Sequence, residues 1–168
     1  MSQASNPAGW AGKVFGWIME RSNLEMNRVI VSEMELSGDE NILEIGCGTG
    51  NALFAISQRI PAGTALGIDH SRLMVNRATK NNLKKRNVQT ECVDLEQFNA
   101  SPNSFDQILL SNVHQFWEEP VECFNQIKNL LKPDGILTIV LRIKEPENNS
   151  FFSRIGYDEA RQTALLNS

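Results

Sequence analysis

Five short apolar runs, set apart by helix-length or turn-rich polar stretches, constrain this chain more than any other property of its 168 residues. The runs are Asn41–Ile45, Thr64–Ile68 ending at Asp69, Val88–Val93, Phe105–Ser111 and Ile136–Ile143. Each is short, rich in Ile, Leu and Val, and bounded by turn residues, as strands are. Between them, Asn51–Arg59, the stretch from Ser71 to about Asn81, and Pro120–Leu131 place apolar residues at helical spacing. Pro61-Ala62-Gly63, Pro102-Asn103 and Lys132-Pro133-Asp134-Gly135 punctuate the pattern. Strands that alternate with helices in this way specify βαβ units and a mostly parallel sheet. Right-handed crossovers then put helices on both faces, giving a doubly wound α/β fold.

Upstream of that alternation, Lys13–Met34 has helical periodicity through Val14, Trp17, Ile18, Leu24, Met26, Val29, Ile30 and Met34, with a break near Ser22-Asn23. Residues 1–9 read as loose. Downstream, Phe151–Leu166 reads as a last helix. The expected organisation is an N-terminal helical segment over 1–36, placed as a possible lid, and one α/β domain over 37–168.

Composition narrows the function classes. Apolar residues make up 41%, enough for a core without staples. The net charge of -4 is a poor match for a nucleic-acid backbone. Lys80, Lys84, Lys85 and Arg86 cluster, and read as the solvated end of a helix rather than a phosphate patch. No run approaches the about 20 apolar residues a bilayer requires, and no secretory leader is visible. Cys47, Cys92 and Cys123 form no CxxC pair, so neither a disulfide framework nor a zinc site is indicated, and a reduced cytoplasmic setting is the simplest one.

In open parallel sheets ligands bind beyond the carboxyl ends of the strands, where the strand order switches. Those positions carry chemistry here. Gly46-Cys47-Gly48-Thr49-Gly50 follows the first strand, and glycines there permit a sharp turn and close approach of a ligand. Gly50 opens a helix whose first amides face that ligand. By itself the turn is equally an ordinary tight turn. Asp69 ends the second strand, about twenty residues on, where a carboxylate accepts both hydrogen bonds of a ribose diol. The competing role is a helix N-cap, which Ser71 is able to supply instead. Asp94 and Leu95 follow the third strand, where a carboxylate and a backbone amide read an adenine edge. The competing role for Asp94 is a solvated loop residue. A GxGxG turn preceded by Glu44 is awkward for a pyrophosphate and suits a ligand bearing an ammonium and a sulfonium. That spacing argues against a nicotinamide dinucleotide, which takes GxGxxG.

These motifs together resemble class I S-adenosylmethionine-dependent methyltransferases. Asn41–Gly50 resembles their first motif, Gly67–Met74 their acidic second motif, Phe105–Asn112 their fourth strand and Leu131–Gly135 the turn before the fifth. The likeness spans about residues 40–143 and is nearest to the small-molecule subgroup. It implies a Rossmann-like fold, the cofactor S-adenosylmethionine, and transfer of its methyl group to a small-molecule acceptor by in-line displacement. It assigns Glu44 and the backbone around Gly46, Cys47, Gly48 and Gly50 to the methionine end, and Asp69 to the ribose hydroxyls. His70 and Met74 would flank the adenine, Asp94 and Leu95 would read its edge, and the Ser111 carbonyl would take the amino group. Met74 is equally a helix-packing residue, and Cys47 reads as a small filler.

Methyl transfer asks for proximity, alignment and exclusion of water. A base is needed only if the acceptor must lose a proton. His114 is the one candidate, against a structural or substrate-positioning role. Phe116 and Trp117 either wall an acceptor pocket or begin the next helix. The N-terminal Trp10, Trp17 and Met19 belong to a lid or to a helix packed on the sheet. The resembled family continues past the last helix into a strand hairpin, which this sequence lacks, so a truncated chain with an open edge strand is expected. The expected partners are a small-molecule acceptor and, through self-association, a homodimer, with no nucleic acid and no membrane. The alternative function is a non-catalytic cofactor-binding or interaction module. After the fourth strand stands Ser111-Asn112-Val113-His114, not the Asn-Pro-Pro-Tyr type of run of amino-methylating nucleic-acid enzymes.

Overall fold

The strand and helix pattern resolves into a single parallel sheet in the computed structural model, which describes residues 27–111, 113 and 117–140. Residues 27–33 are helical (α1). There follow β1 (Asn41–Ile45), α2 (Asn51–Arg59), β2 (Thr64–Asp69), α3 (Arg72–Asn81) and β3 (Val88–Cys92). A 3-10 turn at Leu95–Gln97 leads to β4 (Phe105–Ser111), α4 (Pro120–Leu130) and β5 (Leu131–Val140). The strands lie in the order β3-β2-β1-β4-β5, and all four pairings are parallel. The chain therefore builds outward from β1 to β3 and then returns to the far side of β1. That reversal puts the switch point between β1 and β4.

The alternation within each strand decides which face is buried under what. Ile42, Ala65 and Leu109 share one core with Leu53 and Ile56 of α2, Ala78 of α3 and Ile30, Val31 and Met34 of the first helical segment. Leu43, Ile45, Ile68, Ile108 and Leu110 face the other way, against Ile127 and Leu130 of α4 and Leu95 of the 3-10 turn. Helices thus cover both faces, as parallel strands apolar on both sides require. Polar contacts also hold α1 to α2 and the residues just after α1 to β4. Gln107 Nε2 donates to the Glu35 carbonyl at 2.6 Å, and the Arg59 guanidinium donates to the Val31 carbonyl. This part of the N-terminal segment packs as a covering helix. Trp10, Trp17 and Met19 lie outside the described residues.

The fifth strand begins earlier than its sequence pattern indicates. Leu131 pairs with Phe105 and Ile136 with Gln107, so Lys132–Gly135 bulges out opposite Asp106. The bulge is pinned: Lys132 Nζ donates to Asp106 Oδ1 at 2.7 Å, and the Asn41 N–H donates to Asp106 Oδ2 at 2.8 Å. Burial opposes the charge on Asp106, but the Lys132 ammonium and the Asn41 N–H outweigh it and hold its carboxyl below the usual range. The strand past Val140 and the helix expected over Phe151–Leu166 lie outside the described residues, as does the region where a terminal hairpin would be judged.

Close packing between α2 and β2 sets the depth of the site described below. A Cβ on Gly67 would sit 2.5 Å from Leu53 Cδ1 and 2.8 Å from Cys47 Cβ. Gly67→Ala is expected to cost about 1–3 kcal/mol through overpacking. In urea unfolding, Gly67→Ala combined with Leu53→Ala should lose less than the sum of the single losses, because the two share one contact.

Candidate functional site

Parallel pairing brings the carboxyl ends of β1, β2, β3 and β4 to one rim. Ile45 pairs with Ile68 and with Leu110, and Asp69 pairs with Cys92. The residues that follow these positions are therefore neighbours. They are the Gly46–Gly50 turn, His70, Asp94 and the loop after Ser111.

The turn is fixed by hydrogen bonds that only a reversal of the chain makes possible. Gly46 and Cys47 both donate their N–H to the Ile68 carbonyl, at 2.8 and 3.0 Å. Gly46 has φ +73°, and a Cβ there would lie 2.0 Å from Val113 Cγ1. Gly46 is thus required twice, by its backbone and by the loop after β4 that rests on it. Gly48 has φ +52° with nothing among the described residues within 4 Å of where its Cβ would be, so they leave the outer side of the turn open. Behind the turn stands α3. Asn81 Nδ2 donates to the Thr49 carbonyl and Asn82 Nδ2 to the Gly50 carbonyl, both at 3.0 Å.

Asp69 lies at the end of β2 and is only 8% exposed. Its Oδ2 accepts the Gly48 N–H at 2.9 Å, and its Oδ1 accepts the Ser71 N–H at 2.8 Å. Ser71 occupies the N-cap position of α3 without a side-chain capping bond. Asp69 thus takes the N–H of the N-cap residue itself, while the Ser71 hydroxyl makes no capping bond to the amides that follow. Each carboxylate oxygen still has a second lone pair.

Glu44 is the one charged residue of β1 and is 3% exposed. The Leu53 backbone N–H of α2 donates to it, yet among the described residues Oε2 has no partner. Burial pushes its carboxyl up to about 8; the Leu53 N–H opposes this and the nearby Asp69 charge adds to it. Cys47 is buried between the two acids, and burial followed by the Glu44 and Asp69 charges pushes its thiol far up. That makes Cys47 an inert filler rather than a nucleophile.

The remaining candidates divide by exposure. His70 points outward, its side chain 69% exposed and its Nδ1 3.8 Å from Asp69 Oδ1. Met74 is half-buried on α3, and Ser111 is half-buried at the end of β4. Asp94 is exposed, and its carbonyl closes the 3-10 turn by accepting the Gln97 and Phe98 N–H groups. The Leu95 side chain is in the core, and its carbonyl accepts Gln126 Nε2 at 2.6 Å. His114 and Phe116 lie outside the described residues. Trp117 packs edge-on against Phe124 of α4, with ring centroids 5.5 Å apart. Among the described residues no group of three or more His, Cys, Asp and Glu side chains could hold a metal ion. Val113, Asn81 and Asn82 were not visible as site residues in the sequence. Adjacent asparagines at a helix end read as a stop signal, and nothing local shows that they reach a turn about thirty residues upstream.

A sulfonium nucleoside with an amino-acid end fits this donor set. Among the described residues an unpartnered buried carboxylate oxygen faces no cation, the Gly48 rim is open, and Asp69 keeps acceptor capacity at the end of β2.

Gly46→Ala is expected to destabilise the domain by about 1–3 kcal/mol from the left-handed backbone alone. The clash with Val113 should add to that loss. Val113→Ala in the same chain should recover only the clash, and chemical unfolding of the three variants separates the two contributions.

Residues 43–137 match the methyltransferase domain family. Over 145 residues the chain is 26% identical to the uncharacterized methyltransferase YdaC of Bacillus subtilis, covering 84% of this chain and 80% of that one. Over 99 residues it is 34% identical to a malonyl-[acyl-carrier protein] O-methyltransferase of Halalkalibacterium halodurans. That match covers 57% of this chain and only 36% of the relative. In fold it is similar to a SAM-dependent methyltransferase from Aquifex aeolicus, with a TM-score of 0.68 and 24% identity over 84% of this chain and 77% of that one. With the strand order, the glycine turn and the two acidic positions in place, the chain belongs to the methyltransferase domain family, in its class I S-adenosylmethionine-dependent form.

Proposed function

We propose that this chain transfers a methyl group from S-adenosylmethionine to a small-molecule acceptor. Bound S-adenosylmethionine supplies a methyl group already activated on a sulfonium. The chain's own residues bind, align and exclude water. The observation that carries the reading is the free, buried Glu44 oxygen beside an open glycine turn.

In this reading Glu44 and the amides around Gly46, Cys47, Gly48 and Gly50 hold the methionine end. Asp69 takes the ribose hydroxyls on the lone pairs left free by Gly48 and Ser71. His70 and Met74 flank the adenine, Asp94 and the Leu95 amide read its edge, and the Ser111 carbonyl accepts from the amino group. His114 would remove a proton where the acceptor carries one. A small acceptor is favoured by the acidic charge of the chain and by the relative named for a malonyl thioester carrier. A reducing, cytoplasmic setting suits the free thiols of Cys47, Cys92 and Cys123.

The test is calorimetric titration with S-adenosylmethionine and S-adenosylhomocysteine, wild type beside Asp69→Asn. Losing one charge-assisted acceptor is worth about 1.5–3 kcal/mol, so the variant should bind about 10–100-fold more weakly. Thermal melts run in parallel, since Asp69 also holds Gly48 and Ser71. A folded wild type that binds neither compound refutes the proposal and leaves an interaction module. Binding of both without turnover on any small acceptor refutes the catalytic part.

A further inference from the structure

Glu44 is held where its charge has no compensation. It is 3% exposed, and among the described residues Oε2 has no hydrogen-bond partner and only the Leu53 N–H of α2 donates to the carboxyl group. Asp69 faces it from the end of β2 and Cys47 from the glycine turn. Its strand neighbours in register are Gly67 of β2 and Leu109 of β4, which bring no titratable group. No lysine, arginine or histidine acts on it among the described residues. An isolated buried carboxylate is costly and takes up a proton instead. A cation beside it reverses that balance.

We propose that Glu44 is a proton-linked counter-ion. It is protonated in the ligand-free protein and ionised when the cationic end of the cofactor docks beside it, so that binding expels one proton. This rests on the cofactor reading above. The balance is simple: the carboxyl O–H bond breaks, the proton passes to solvent, and the carboxylate is left paired with the ligand's cation. Cys47 does not share this role, because burial above all pushes its thiol up and keeps it protonated. Asp69 is placed differently, with both oxygens already engaged by backbone N–H donors.

Affinity then rises with pH by up to about tenfold per unit while Glu44 is protonated in the free protein and ionised in the complex. The window to use is about pH 5.5–7, below the range near 7.7–8.0 where an α-amino group loses its own proton. Ligand-free stability moves the other way. A carboxyl raised above its ordinary value stabilises the fold at low pH, and that contribution fades as pH climbs from 4.5 to about 8.

The experiment is titration of S-adenosylmethionine into the protein in buffers of differing ionisation enthalpy at about pH 6.5, within that linkage window. The dependence of the observed heat on the buffer counts protons. The expected release approaches one for wild type and falls to near zero for Glu44→Gln. Binding with no release, or equal release by both proteins, overturns the inference and leaves the cofactor reading standing. No binding by a folded wild type overturns both. Should Glu44→Gln fail to fold, infrared difference spectra of the wild type decide. A protonated carboxyl C=O band that disappears on binding supports the proposal, and an unchanged carboxyl region refutes it.

Discussion

The Asp69 carboxylate ties together three pieces of chain that would otherwise diverge. It ends β2, accepts the Gly48 N–H from the turn after β1, and accepts the Ser71 N–H that opens α3. The turn in turn depends on Ile68, whose carbonyl receives both Gly46 and Cys47. Two consecutive residues of β2 thereby shape a loop that belongs to β1. The loop keeps its left-handed glycines because tertiary hydrogen bonds outweigh the conformational entropy of ordering them. Asn81 and Asn82 complete the frame from the far end of α3. Backbone and side-chain groups held this way are preorganised, with little further ordering left for them to undergo.

Glu44 and Asp69 show how one rim gives two carboxyls different properties. Asp69 accepts backbone N–H donors from two directions. Glu44 lies deeper, beneath the first turn of α2, and keeps an oxygen without a partner. A strand buried on both faces gains nothing from a glutamate at that position in stability terms. Its presence is intelligible as a reserved counter-charge. Val113 resting on Gly46 places the loop after β4 against the same turn, so the two sides of the switch point are in direct contact.

The fold was largely legible in the residues. Apolar runs, helical spacing and Gly/Pro punctuation located β1, α2, β2, α3, β4 and α4 to within a residue or so, because each element buries a face that its own sequence must encode. The fifth strand was less legible. Lys132-Pro133-Asp134-Gly135 carries a turn signal, and the turn exists, but it forms a bulge inside a pairing that Leu131 has already begun. Proline and glycine are compatible with either outcome, and only the position of β4 distinguishes them.

For the site, the sequence by itself determined which residue types stand at the ends of the strands: the glycines, Glu44, Asp69, Asp94 and Ser111. Their spacing is a property of the chain and needs no tertiary information. What the tertiary structure decided is how these groups are used. Ser71 stands at the N-cap of α3 without a side-chain capping bond, and its own N–H goes to Asp69, because β2 delivers a carboxylate to it at 2.8 Å. Asn82 looks like a helix stop and serves as a brace for Gly50. Glu44 reads as one acid in an apolar strand, and its protonation depends on what surrounds it in three dimensions. Burial, hydrogen bonding and charge proximity act through space between segments far apart in the chain, which is why the sequence names the groups and the fold sets their chemistry.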